Sequence, residues 1–276
     1  YRIGSTGDGG SVLSDGPYIE QHRLVAGGRS LAATSWGRIK IGAPVIVMMH
    51  GGLDCTSTWK DLPEAIARTS GLAVLSYDRW GYGGSEAYAG RRERSYRFEE
   101  SGPVFADVLR HFGIRQTVIF GHSDGGAMGI LAAAAHPEAV RGVCACSPTV
   151  ALDLPMVRAM ASARQAFEKG GLREKLARHH GDKTDAMFWA WYEPWADEAA
   201  IEWSMAAQVA EVRCPVAALF GQDDDYGWRA SARLLVDHGR MPLEVTAIPG
   251  VGHDPQHRAR DKVVAALGRV MSTAGI

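Results

Sequence analysis

Residues 121–125 read Gly-His-Ser-Asp-Gly. His122, Ser123 and Asp124 are the residue types of a hydrogen-bonded nucleophile, base and acid, but side by side they cannot form one. Neighbouring side chains on a strand or tight turn point to different sides, so a hydroxyl does not receive its base from the next position. Ser123 as a nucleophile needs its base and orienting acid from elsewhere in the chain. The apolar run Gln116 to Phe120 before it and the small-residue run from Met128 after it place the serine at a strand-to-helix turn. There the glycines permit the sharp turn that lifts the hydroxyl clear of the sheet edge. The helix start offers free N–H groups beside a developing oxyanion.

Ten histidines are available as the base. His22, His111, His136, His179, His180 and His238 lie in predicted elements or at helix ends, and His122 points away from its neighbour. His50 sits in a glycine loop taken up below. His253 remains, in Ile248-Pro-Gly-Val-Gly-His-Asp-Pro, after the last strand and before the last helix, with His257 in reserve. Parallel strands deliver their C-terminal loops to one edge, so His253 and Ser123 emerge on the same side. The preceding strand, Val216 to Phe220, runs into Asp223, Asp224 and Asp225. One of the three can accept the imidazole N–H and fix its tautomer, which leaves the other two to solvent.

These residues need a scaffold, and the apolar pattern supplies it. Ile19 to Val25 and Ser30 to Trp36 read as a hairpin. Strands follow at Val45 to Met49, Leu72 to Tyr77, Gln116 to Phe120, Val140 to Cys146, Cys214 to Phe220 and Leu243 to Ile248. Helices are expected over Thr58 to Arg68, Phe98 to Phe112, Met128 to Ala135, Trp228 to Asp237 and Asp261 to Met271. Continuous apolar strands alternating with helices predict an α/β fold, a mostly parallel sheet covered on both faces. The alternation stops over 151–211, where the pattern is helical only and rich in tryptophan. The expected division is a leader over 1–18, a core over 19–150 and 212–276, and a small helical insertion over 151–211.

The totals bound the rest. The chain has 276 residues, 46% hydrophobic and 22% charged, as an ordinary globular protein does. Glycine, at 33 residues, is enriched to roughly 12% against the usual ~7%, in keeping with many tight strand-to-helix turns. A net charge of -1 without a basic stripe argues against nucleic acid, and no apolar run is long enough to span a bilayer. Cys55, Cys144, Cys146 and Cys214 fit neither a disulfide framework nor a zinc site. They favour a reducing compartment, and the expected location is cytoplasmic. Tyr1 in place of methionine leaves room for a removed upstream segment.

Taken together, the chain resembles the α/β-hydrolase superfamily over nearly its whole length outside the leader and insertion. Gly-His-Ser-Asp-Gly resembles the nucleophile turn. His50-Gly51-Gly52-Leu53-Asp54-Cys55-Thr56-Ser57-Thr58-Trp59 resembles the oxyanion loop with its trailing tryptophan. Tyr77-Asp78-Arg79-Trp80-Gly81-Tyr82-Gly83-Gly84-Ser85 resembles the loop after the fourth strand. The resemblance implies the chain order nucleophile, acid, base, and an acid three residues after the glycine ending its strand, which selects Asp224 after Gly221. It implies an oxyanion hole made by the N–H of Gly52 (or Leu53) with that of Asp124, and a helical cap at 151–211.

Serine at the nucleophile position sets the chain apart from the dehalogenase and epoxide-hydrolase branches, which use aspartate there. The expected catalytic residues are Ser123, Asp224 and His253, working without metal or cofactor on carboxylic esters of small, largely apolar substrates. Leu53, Trp189, Trp191 and Trp195 are the expected pocket walls. The expected partner is a small-molecule substrate, with no nucleic acid and no membrane. Two rivals share the fold: a carbon–carbon bond hydrolase of ring-cleavage products, for which Arg79 and Arg158 are the arginines to watch, and a receptor that keeps the triad. The charge of Asp124 beside an oxyanion opposes catalysis unless its side chain turns outward, toward the cap.

Overall fold

Val45, Val47 and Met49 contribute to one apolar cluster, while Ile46 and Met48 between them contribute to another. This period-two division is what a strand buried on both faces must show. In the computed structural model, which describes residues 18–196 and 198–276, that strand lies inside an eight-stranded sheet. The expected leader lies outside the described residues except for Tyr18. The strands are β1 (Ile19–Ala26), β2 (Arg29–Trp36), β3 (Val45–Met49), β4 (Ala73–Tyr77), β5 (Thr117–His122), β6 (Val140–Cys146), β7 (Val216–Gly221) and β8 (Leu243–Ile248). Their order is β1-β2-β4-β3-β5-β6-β7-β8. β1 and β2 form an antiparallel hairpin, β2 joins β4 antiparallel, and every later pairing is parallel.

Helices cover both faces. Leu62–Ser70 and Arg260–Ala274 pack Leu62, Ile66, Val263 and Leu267 on one side. Phe105–Phe112, Asp124–Ala135 and Arg229–His238 pack the other. Because the central strands run parallel, the chain leaves β3, β5, β7 and β8 at one edge of the sheet, and the candidate residues follow those exits.

Two predicted helices differ in detail. The helix expected over Thr58 to Arg68 is two pieces, a 3₁₀ turn Thr56–Trp59 and an α-helix Leu62–Ser70, separated by Lys60 at φ 57°. Pro63 sits in the first turn of the second piece, where its missing N–H costs no helical hydrogen bond. The helix expected from Phe98 begins at Tyr96 and passes through a π-turn, Glu100–Val104, before Phe105–Phe112. Pro103 lies inside that turn and cannot donate the i→i−4 bond, so the ladder widens around it.

Between β6 and β7 the chain forms helices Leu154–Lys169, Leu172–His180, Thr184–Tyr192 and Ala206–Glu211 with short 3₁₀ turns. Asp153 caps the first by accepting from Met156 N, and a bridge between Ala151 and Ser204 closes the base. Ala206–Glu211 packs Val209 into the core, whereas the first three share an apolar cluster that includes Met160, Phe167 and Phe188 together with Trp195. They are tied to the sheet edge by His180, whose Nδ1 accepts from Gly83 N at 3.0 Å and whose Nε2 donates to the Leu53 carbonyl at 3.2 Å. Lys183 adds bonds to the carbonyls of Gly83 and Ser85. No helix among the described residues is long and apolar enough to cross a membrane.

Candidate active site

Ser123 stands between β5 and the helix Asp124–Ala135 with φ 51° and ψ −115°, a conformation that a residue with a side chain rarely adopts. The flanking glycines are required by close approach. A Cβ on Gly121 would lie 2.4 Å from the Gly125 carbonyl oxygen, and one on Gly125 would lie 2.0 Å from that of Met49. The turn is pinned by Ser123 N donating to the Cys146 carbonyl on β6 at 2.8 Å.

His253 reaches Ser123 from the loop after β8. Its Nε2 lies 2.9 Å from Ser123 Oγ, and its Nδ1 lies 2.8 Å from Asp224 Oδ2. Asp224 is buried, and its other oxygen accepts from Tyr226 N at 2.9 Å, which fixes the carboxylate plane. Asp223 and Asp225 are exposed, as is His257. The Tyr226 ring lies 4.6 Å from the His253 ring, so the imidazole is held by packing as well as by hydrogen bonds.

A cavity of about 220 Å³ opens beside Ser123 and His253. Gly52, Leu53, Trp191 and Trp195 line it, and Trp189 does not. Positions 191 and 195 lie four apart on one helical face, whereas 189 is turned away from both. Trp189 instead packs edge-on against Phe167, Phe188 and Tyr192. The backbone N–H groups of Gly52, Leu53 and Asp124 make no hydrogen bond among the described residues. The last belongs to the first helical residue, whose donor has no intrahelical partner.

The Asp124 side chain answers the question its charge raises. It does not turn outward; it is buried beneath the turn. Arg79 Nη1 donates to its Oδ2 at 2.9 Å, while Arg97 Nε and the Tyr96 hydroxyl donate to Oδ1 at 2.5 and 2.8 Å. Burial opposes its ionisation, but the Arg97 and Arg79 charges outweigh that and hold the carboxyl well below the usual carboxylate range. Two guanidiniums thus neutralise the negative charge next to Ser123. Arg79 is spent on this task and does not line the cavity, and neither does Arg158, which faces a separate groove with Ala159 and Tyr226.

His122 also has a defined place. Its Nδ1 lies 3.0 Å from Asp54 Oδ2 and its Nε2 lies 2.9 Å from the His253 carbonyl, with Asp254 at 3.6 Å. Both nitrogens face acceptors, an arrangement that favours the doubly protonated ring. Burial works against the charge, but the bond to Asp54 and the nearby carboxylates push the imidazole above its ordinary value. His50, in contrast, donates from Nδ1 to the Gly51 carbonyl and accepts Arg79 N on Nε2, and burial lowers it to about 3.

Sequence reasoning missed Tyr96, Arg97, Tyr226 and the pairing of His122 with Asp54. One signal was present: an aspartate opening a helix of otherwise apolar, small residues needs a cation to pair with once it is buried. Nothing local says which arginine supplies it.

A doubly covered, mostly parallel sheet with Ser123, His253 and Asp224 brought together at one edge is the architecture of the α/β-hydrolase class. The family model for the alpha/beta hydrolase fold matches residues 44–221, and the chain belongs to that family. Among curated proteins it is similar to a monoglyceride lipase homolog of Monkeypox virus, 22% identical, covering 86% of this chain and 91% of that one. Among solved structures it is similar to a 2-hydroxy-6-oxo-6-phenylhexa-2,4-dienoate hydrolase from Rhodococcus, with a TM-score of 0.75 and 18% identity over 94% of this chain and 100% of that one. A thermophilic esterase from Thermogutta terrifontis gives 0.68 and 18% over 93% and 100%. At these identities the solved structures attest the shared fold alone.

Proposed function

We propose that the protein is a serine hydrolase that cleaves carboxylic esters of small substrates, mainly apolar in bulk, through an acyl-enzyme. The observation that carries this reading is the unbroken chain from Ser123 Oγ to His253 Nε2 at 2.9 Å and from His253 Nδ1 to Asp224 at 2.8 Å, open to a cavity. His253 takes the Ser123 proton as the hydroxyl attacks the ester carbonyl. The negative oxygen is met by the free N–H groups of Gly52 and Asp124, each such donor contributing about 3 kcal/mol to the transition state. His253 then protonates the departing alcohol and activates the water that releases the acid, while Asp224 stabilises the imidazolium. Leu53, Trp191 and Trp195 bound the substrate, and 151–211 acts as the cap. The likeness to a monoglyceride lipase homolog supports an ester as the bond cleaved.

The test is hydrolysis of p-nitrophenyl esters of graded acyl length by the wild type and by Ser123→Ala. Turnover that collapses in the variant supports the reading, and the length optimum sizes the cavity. A wild type inert on every ester contradicts it and brings forward the carbon–carbon hydrolase and receptor readings.

A further inference from the structure

Arg97 lines the same cavity as Ser123 although its side chain is only 2% exposed. Two of its three nitrogens are committed. Nε donates to Asp124, and Nη1 donates to the Thr149 carbonyl at 2.9 Å. Nη2 makes no hydrogen bond among the described residues. The Trp195 and Trp203 rings stand 4.2 and 4.8 Å from the guanidinium carbon, so the group is held by its neighbours and not by solvent.

The charges around it do not cancel. Arg79 and Arg97 share one carboxylate, that of Asp124. A third buried guanidinium, Arg92, lies 3.7 Å from Glu100, whose carboxyl burial pushes up. Three cations therefore face at most two carboxylates in a desolvated cluster, an arrangement that is costly unless another anion arrives. Arg97 is the only one of the three that reaches the cavity. The carboxylates on the cavity wall, Asp54 and Asp254, are drawn to His122 at 3.0 and 3.6 Å.

We propose that Arg97 anchors a carboxylate of the substrate, so that the preferred substrates are short esters that carry a free carboxylate in addition to the scissile bond. This rests on the ester reading above and narrows it. A planar guanidinium already fixed by Asp124 and two indoles suits the task, since little further ordering is needed when the anion binds. Asp124 then has two effects: its backbone N–H serves the oxyanion, and its side chain holds the residue that reads the substrate.

The experiment compares charged and neutral partners of equal shape. One pair puts the charge on the acyl half, the p-nitrophenyl monoester of glutaric acid against p-nitrophenyl 5-methylhexanoate. The other puts it on the alcohol half, 4-acetoxybutanoate against 4-methylpentyl acetate. In the wild type, kcat/KM for the acid should exceed that for its neutral partner about ten- to a hundredfold in one of the pairs, the range of a hydrogen bond to a charged group. The ratio should fall towards one in Arg97→Gln and be partly kept in Arg97→Lys. Should loss of an Asp124 partner unfold the variants, the wild-type ratio still decides. Neutral esters turned over as well as acids in both pairs would overturn the inference and leave the ester reading standing. A preference that persists in folded Arg97→Gln would overturn it as well, by placing the anchor elsewhere. No turnover of any of the four would remove both.

Discussion

Arg79 and Gly51 meet beneath the site, with Nη2 of the guanidinium donating to the Gly51 carbonyl at 2.9 Å. The N–H of that same peptide unit belongs to Gly52, the proposed oxyanion donor. Nη1 of the same guanidinium holds Asp124, the residue that offers the second donor. One planar cation therefore fixes both sides of the proposed oxyanion hole, and hydrogen bonding at the carbonyl polarises the N–H across the peptide. A lysine here is a point charge and cannot serve both acceptors in the same fixed plane. Arg79→Lys should lower kcat about ten- to a hundredfold with a smaller change in KM, the pattern of an interaction made in the transition state. Steady-state kinetics on a folded variant check this. A raised KM with kcat intact would show Arg79 to act on substrate binding instead.

Gly52 is pressed against Trp191 of the helix Thr184–Tyr192. A Cβ there would fall 2.0 Å from Trp191 Nε1 and 2.3 Å from its Cδ1. Gly52→Ala must displace the indole or the donor loop, and activity should fall about a hundredfold, the cost of one oxyanion donor. If the clash with the ring is the cause, adding Trp191→Leu should restore part of the loss. A double variant no better than the single would locate the damage in the loop itself.

Asp224→Asn keeps the shape of the acid but cannot hold His253 in the tautomer that leaves Nε2 free to accept. The expected loss in kcat is about 10⁴-fold, with little change in melting temperature. A loss below about tenfold would mean that Asp224 does not orient the base.

His122 supplies a pH signature in stability. Its folded-state pKa is raised from 6.5, so its contribution is fully present below about 6.5 and is lost as pH rises through the higher folded-state value. Asp54, His122's partner, has its carboxyl lowered: burial opposes ionisation, but the bond and charge of His122 prevail. Its contribution is therefore present above the ordinary carboxylate range, is lost as pH falls through the lowered folded-state value, and on the alkaline side loses the part that the His122 charge supplies. The gap in melting temperature between wild type and His122→Gln should be widest below about pH 6.5 and should narrow with rising pH. Melting curves from about pH 5.5 to 9.5 measure it, and a gap that widens with pH would contradict the charged form of His122.

The parts of this architecture that were legible in the sequence are those with a local signature. The strands announce themselves by continuous burial, and Ser123 by the glycines that crowding imposes. His253 follows from the single edge that parallel strands share. Asp224 is less local: three aspartates stand in a row, the family resemblance and not the residue pattern singled it out, and in the structure burial and the bond to His253 separate it from Asp223 and Asp225. The Arg79–Asp124–Arg97 cluster was not legible, because its members lie 45 and 27 residues apart and meet only through the tertiary fold. The phase of the helix Thr184–Tyr192 decided Trp191 over Trp189, and a run of aromatics on a short helix gives no clear amphipathic stripe from which to read that phase.

The central claim is that Ser123 is the acylated nucleophile. Rapid mixing of the wild type with p-nitrophenyl acetate, acid quenching and peptide mass analysis tests it directly. The account predicts a burst of nitrophenolate and one acetyl group on the peptide that contains Ser123, with neither seen in Ser123→Ala. An acetyl group found on another residue, or a burst that survives in the variant, would contradict it.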